Sequence, residues 1–185
     1  MDFFIFLFFF VVSFFTLLAI FICVKIVIYT YAYFFWGAIY VKTTDEKTNK
    51  ILELLEIKFG QKTADLGAGD GRLVIAMAKK GAIAYGYEIN PFLVYIGKRR
   101  IRDSKLNKTA FMHCKNLWHE DVGDFDAIVV YGMKHMMGPL ERKLDKELKP
   151  GAKVVLNYFI FPNWQPVKSE GDVHLYVKPS LDKPV

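Results

Sequence analysis

The residues best placed to do chemistry are Thr63-Ala64-Asp65-Leu66-Gly67-Ala68-Gly69-Asp70-Gly71-Arg72. Glycines stand at the alternate positions 67, 69 and 71, and Asp65 lies two residues upstream of the first. Glycine gives a tight turn its backbone freedom, and its missing Cβ lets a ligand approach the main chain. A helix opening directly after the turn adds unpaired N–H groups and a positive dipole end. Glu88 follows 21 residues after Gly67. A carboxylate at the end of the second strand of such a unit can accept both hydroxyls of a ribose. The spacing is G-x-G-x-G rather than the G-x-G-x-x-G of dinucleotide sites. The plainer alternative is a turn that only packs a helix on a strand. The acidic residues on either side of it favour a nucleoside-bearing ligand.

These residues need a scaffold, and the apolar patterning supplies one. Thr63 to Leu66 read as a short buried strand, and Leu73, Val74, Ile75, Ala76, Met77 and Ala78 as the helix that follows. Gly81 breaks the chain, and Ile83 to Tyr87 form a second strand ending in Glu88. Asn90-Pro91 opens a second helix to about Arg102, with Phe92, Leu93, Tyr95 and Ile96 expected inward. Its basic end, Lys98, Arg99, Arg100 and Arg102, complements the helix dipole and reads as a solvated surface. Thr109 to Cys114 and Phe125 to Tyr131 read as the third and fourth strands. Tyr131-Gly132-Met133 then lies beyond a carboxyl end, where open α/β sheets bind ligands. A helix over 136–148 and a strand over 152–158 follow. Two short strands near 166–169 and 173–178 then pair around Gly171-Asp172. Ahead of the first strand, Thr43 and Glu46 fit a capping box, and Gly60 is expected to end that helix.

The N-terminal third is of another kind. From Phe3 to Val24 there is no charge, and a helix of that length crosses a bilayer core of roughly 30 Å. Lys25 interrupts, and residues 26–41 continue apolar, with Tyr29, Tyr31, Tyr33, Trp36 and Tyr40 suited to the headgroup level. A cleaved signal peptide fits poorly: Asp2 replaces a basic start, the run is too long, and no small-residue cleavage site follows. The reading is an uncleaved single-pass anchor. Lys25, Lys42, Lys47 and Lys50 on its C-terminal flank place the rest on the cytoplasmic (or mitochondrial matrix) side. The chain carries +6 over 185 residues. Beside a membrane, that charge is drawn to anionic headgroups; nucleic acid is the weaker partner. Cys23 and Cys114 are isolated and suggest neither a disulfide nor a metal site.

The segments 65–72 and Gly86-Tyr87-Glu88-Ile89-Asn90-Pro91 resemble motif I and the following acidic strand end of class I, seven-stranded S-adenosylmethionine methyltransferases. More narrowly, they resemble the membrane-anchored protein-lysine methyltransferases of the ATP synthase c subunit and the adenine nucleotide translocase, with their prokaryotic relatives. The resemblance runs from about 43 to 178, with further motifs at 116–118 and 162–166. It implies a Rossmann-like seven-stranded α/β sheet with helices on both faces, preceded by a transmembrane helix. Together with the apolar N-terminal run, it divides the chain into an anchor with its interfacial extension (1–41), an N-terminal helix (42–61) and a methyltransferase domain (62–185). It assigns S-adenosylmethionine binding to Asp65, Gly67, Ala68, Gly69, Gly71, Glu88, Asn116 and Leu117, and no metal. Asn116 stands where the family has an acidic residue for the adenine amino group, and Lys42 where it has a proline. The implied acceptor is a lysine of a membrane protein; a lipid or small molecule, or a catalytically silent binding module, stays open. The Asn/Asp-Pro-Pro-aromatic motif of base-amino methylation is absent. No general base emerges. His113, His119, His135 and His174 are scattered, and Tyr131 is read only as shaping the acceptor pocket.

Overall fold

A computed structural model describes residues 2–35 and 42–179. The chain divides into an N-terminal unit and a second unit that begins at Tyr40.

The first unit is one helix, α1 (Asp2–Phe35). It runs unbroken through Lys25, whose ammonium lies over the Phe21 ring, 5.6 Å from its centroid. The stretch Phe3–Val27 is long and apolar enough to cross a membrane, and none of it is buried within the protein. Trp36 and Tyr40, expected at the headgroup level, fall outside the described residues.

The second unit opens with α2 (Asp45–Leu55). Its cap is Thr44, whose hydroxyl accepts from Lys47 N–H at 3.3 Å, rather than the expected Thr43. The helix stops at Glu56, held left-handed at φ 48° while its N–H bonds Leu52 O. The expected stop, Gly60, lies in the next turn, where its N–H bonds Gly81 O at 2.8 Å. The chain then alternates: β1 (Lys62–Leu66), α3 (Arg72–Lys79), β2 (Ile83–Glu88), α4 (Pro91–Asp103) and β3 (Ala110–Cys114). After a 3-10 turn, Leu117–His119, come β4 (Ala127–Val130), a second turn, Lys134–Met136, and α5 (Met137–Glu147). The last strands are β5 (Lys153–Asn157), β6 (Lys168–Glu170) and β7 (Val173–Val177). They form one seven-stranded sheet in the order β3-β2-β1-β4-β5-β7-β6. The first five strands are parallel, and β7 and β6 close the edge antiparallel.

Alternating side chains give each sheet face its own core. One face buries Ile51 and Leu55 of α2, Val74 and Met77 of α3, and Val94 and Ile101 of α4. The other packs Leu140 and Leu144 of α5 against Ile128, Leu156 and Tyr176. The rotation of α4 departs from expectation: Val94, Gly97 and Ile101 face in, while Phe92 and Tyr95 are 68% and 64% exposed. Close packing dictates this. A Cβ on Gly97 would come within 3.0 Å of Met112 on β3, so the helix meets the sheet along its smallest residue.

Candidate active site

The strand order reverses between β1 and β4, and the candidate site residues lie at or just beyond the carboxyl ends of the parallel strands β1, β2, β3 and β4. Open α/β sheets bind their ligands in the crevice at such a reversal. From β1 the chain enters the glycine loop, where Gly67, Gly69 and Gly71 have φ values of 91°, 53° and 75°. Only glycine adopts that backbone without strain. The loop is stitched to β2: Gly67 N–H and Ala68 N–H both donate to Tyr87 O, at 2.9 and 3.1 Å. Gly71 N–H closes the turn on Ala68 O at 2.9 Å.

Glu88 holds the loop from the neighbouring strand. Its Oε2 accepts from Gly69 N–H and its Oε1 from Asn90 N–H, each at 2.9 Å. The spacing anticipated a carboxylate free for two hydroxyls; here both oxygens also lock the backbone. Each keeps a further lone pair for a ligand. Asp65, 6% exposed, stands beside them. Burial pushes its carboxyl up to about 7, and Glu88 and Asp70 push the same way. Asp70 is buried too, but it is compensated: Arg100 of α4 forms a close ion pair with it, and Arg72 lies 4.0 Å away. Arg72 also reaches Asp45 at the start of α2, at 3.4 Å, so α2, the loop and α4 share one charged network.

At the end of β3, Asn116 Oδ1 accepts from Trp118 N–H at 3.1 Å and caps the 3-10 turn. One lone pair of that oxygen is thus used locally, and the amide NH₂ stays available. Leu117 is partly buried against the second core. Tyr131 directly follows β4, one step beyond the Leu66↔Val130 pair, and is half-buried. Among the described residues, no group of three or more His, Cys, Asp or Glu is assembled as metal ligands would be.

A profile of the ANTKMT methyltransferase domain matches residues 65–168. The chain belongs to this family. Its sequence is 35% identical over 133 residues to the human lysine N-methyltransferase of the ATP synthase c subunit, covering 72% of the chain and 57% of that protein. It is 36% identical over 134 residues to the mouse adenine nucleotide translocase lysine N-methyltransferase, covering 72% and 58%. A protein-lysine N-methyltransferase of Saccharolobus islandicus is 30% identical over 129 residues, covering 69% and 80%. The chain therefore spans less than two thirds of the length of the mammalian relatives. Among solved structures, an RNA methyltransferase from Salinibacter ruber in complex with S-adenosylhomocysteine superposes with a TM-score of 0.72 at 29% identity, over 78% of this chain and 97% of that one.

Several site features of this family member escaped the sequence reading. The ion pair between Asp70 and Arg100 joins residues 30 apart, and Arg100 alone reads as part of a solvated basic end. Gly86 lies inside β2, and nothing in its own sequence context sets it apart. A Cβ there would lie 2.5 Å from Met112 Sδ, 2.7 Å from Val74 and 2.8 Å from Ala68, so the glycine loop can seat only on a bare backbone. Tyr158, just after β5, holds φ 83° and is 56% exposed. A left-handed tyrosine at a strand end is a strained position of the kind that clusters at sites. Nothing in local composition marks it.

Proposed function

We propose that the chain is a membrane-anchored, S-adenosylmethionine-dependent protein-lysine N-methyltransferase acting on a membrane protein. The observation that carries the cofactor reading is the cradle formed by the glycine loop and Glu88 at the reversal of strand order. It fits the group on three counts. The space beside the Gly67 Cα is open, with no heavy atom within 4 Å of where a Cβ would stand. Glu88 retains acceptor capacity for ribose hydroxyls, and Asp65 offers an anion to the ammonium of the methionine portion. Bound there, S-adenosylmethionine supplies an electrophilic methyl group on a sulfonium.

The residues of this chain then orient and exclude water. A lysine amine must shed its proton before it attacks, and its reference pKa of about 10.4 falls when the ammonium is desolvated. Tyr131, beyond β4, shapes the pocket in which that desolvation happens. Asn116 and Leu117 flank the adenine. Phe3–Val27 anchors the chain, with the second unit on the cytoplasmic or matrix side, following the lysine-rich flank. The names of the relatives, lysine methyltransferases of two membrane proteins, support the acceptor class.

One observation favours a second reading, RNA methylation: the Salinibacter ruber structure is named for it. Against it, Val130-Tyr131-Gly132-Met133 replaces the Asn/Asp-Pro-Pro-aromatic motif that base-amino methylation requires.

Titration calorimetry tests the cofactor site. Wild type binds S-adenosylmethionine and not NAD. Gly67→Val, forced into φ +91°, loses most of that affinity. Unchanged binding by Gly67→Val, or NAD binding by wild type, overturns the assignment. Carbonate extraction tests the anchor: the chain stays in the membrane pellet, and release contradicts it.

A further inference from the structure

We infer that the outer face of α4 is a docking surface for an anionic phospholipid bilayer. The inference rests on the anchored reading above and adds the surface by which the second unit itself meets the lipid. Phe92 and Tyr95 point out of the protein at 68% and 64% exposure, one helical turn apart. Lys98, Arg99 and Arg102 continue the same stripe, and Lys105 and Lys108 extend it past the helix end. From Pro91 to Lys108 there are six cations and one acid, Asp103. This short segment thus holds a surplus of five charges, against +6 for the whole chain. Arg100 turns inward to Asp70, and Arg99 shares Asp103 at 3.8 Å. Lys98, Arg102, Lys105 and Lys108 have no carboxylate within ion-pair distance among the described residues.

Aromatic rings beside unpaired cations are the chemistry of the membrane interface. Rings settle at the headgroup level, and each Lys or Arg gains from an anionic leaflet. Two features select lipid over nucleic acid as the occupant. The same chain carries an apolar span, so the second unit is tethered near a bilayer and meets it at high effective concentration. The exposed rings also lie on a rigid helix face, as in amphipathic interfacial helices. The consequence is positional. Asn90, which caps this helix, donates its backbone N–H to Glu88, so a docked α4 sets the glycine loop beside the headgroups.

The test uses the full chain reconstituted into vesicles of phosphatidylcholine, with or without phosphatidylserine. In a Cys23→Ser, Cys114→Ser background, an environment-sensitive dye is placed at Tyr95→Cys. A control dye sits at Val167→Cys, at the opposite edge of the sheet. Emission at position 95 rises and shifts blue only with phosphatidylserine, and reverts in high salt, while position 167 stays unchanged. Lys98→Glu and Arg102→Glu each weaken the docked population by more than about fivefold, since each removes a cation and adds an anion. Equal emission in both lipids, with the chain still in the pellet, overturns the inference and leaves the anchor intact. A larger shift with added RNA on neutral vesicles also overturns it, in favour of a nucleic-acid surface. If carbonate releases the chain, the anchored reading fails instead. Co-sedimentation of the released chain with phosphatidylserine vesicles then decides the surface, with binding abolished by Lys98→Glu/Arg102→Glu supporting it and no binding refuting it.

Discussion

Glu88 receives a backbone N–H on each carboxylate oxygen, from Gly69 and from Asn90. Replacing it with alanine strands two donors and removes the acceptor for a ribose. A lost buried partner costs about 1–3 kcal/mol, which is about 5- to 150-fold in affinity. Glu88→Ala therefore binds S-adenosylmethionine at least about fivefold more weakly by calorimetry and melts earlier. Asp65 gives a pH dependence whose sign is fixed. Its carboxyl titrates near 7 when folded, against an ordinary value of 3.8, so the folded state holds its proton longer. Stability consequently falls as pH rises from about 4 to about 7 and then levels. Asp65→Asn removes that slope, as denaturant titrations across the range will show. A cationic ligand favours the ionised carboxylate, so wild-type affinity for S-adenosylmethionine rises through the same window and that of Asp65→Asn does not. Asp65, Glu88 and the three glycines were legible because their spacing is local. Asp70–Arg100 and Gly86 were not, because their roles come from neighbours distant in sequence.

The elements themselves were legible from apolar periodicity, and their rotations were less so. α5 buries Leu140 and Leu144 as its i, i+4 spacing implied. α4 carries apolar and aromatic residues on two faces, and only the close approach of Gly97 to Met112 decides which turns inward. The cap of α2 moved by one residue because Thr43 and Thr44 can both cap. α5 also holds a residue that pattern reasoning passed over: Glu141, 3% exposed, accepts from Asn163 N–H at 2.9 Å, from Asn163 Nδ2 at 2.8 Å and from Trp164 N–H. It fastens the Pro-Asn-Trp segment, whose Trp164 packs on Phe161 and Tyr176, to α5. Glu141→Leu leaves those donors unpaired in the interior. It destabilises by about 1–3 kcal/mol, a drop of several degrees in Tm by calorimetric scanning. Glu141→Gln, which keeps an acceptor, loses less.

At the scale of the molecule, an apolar helix and a methyltransferase fold share one chain. The strands were legible from the order of strand and helix patterns, their joining in one seven-stranded sheet from the family resemblance, and the antiparallel edge from Gly171-Asp172. Sidedness and acceptor are not written in the fold, since a Rossmann-like sheet serves many acceptors. On the proposed anchored reading, tethering restricts the choice physically: an acceptor in the same membrane is met at high effective concentration, so weak intrinsic affinity suffices. The most direct test is transfer of tritiated methyl from S-adenosylmethionine by the full chain in native membranes, with Glu88→Ala as control. Protein, lipid and RNA are separated before counting, and the labelled protein is hydrolysed to identify the modified amino acid. The account predicts label in methylated lysine of an integral membrane protein, and its loss in Glu88→Ala. Label that follows lipid or RNA, or that persists undiminished in Glu88→Ala, would contradict it.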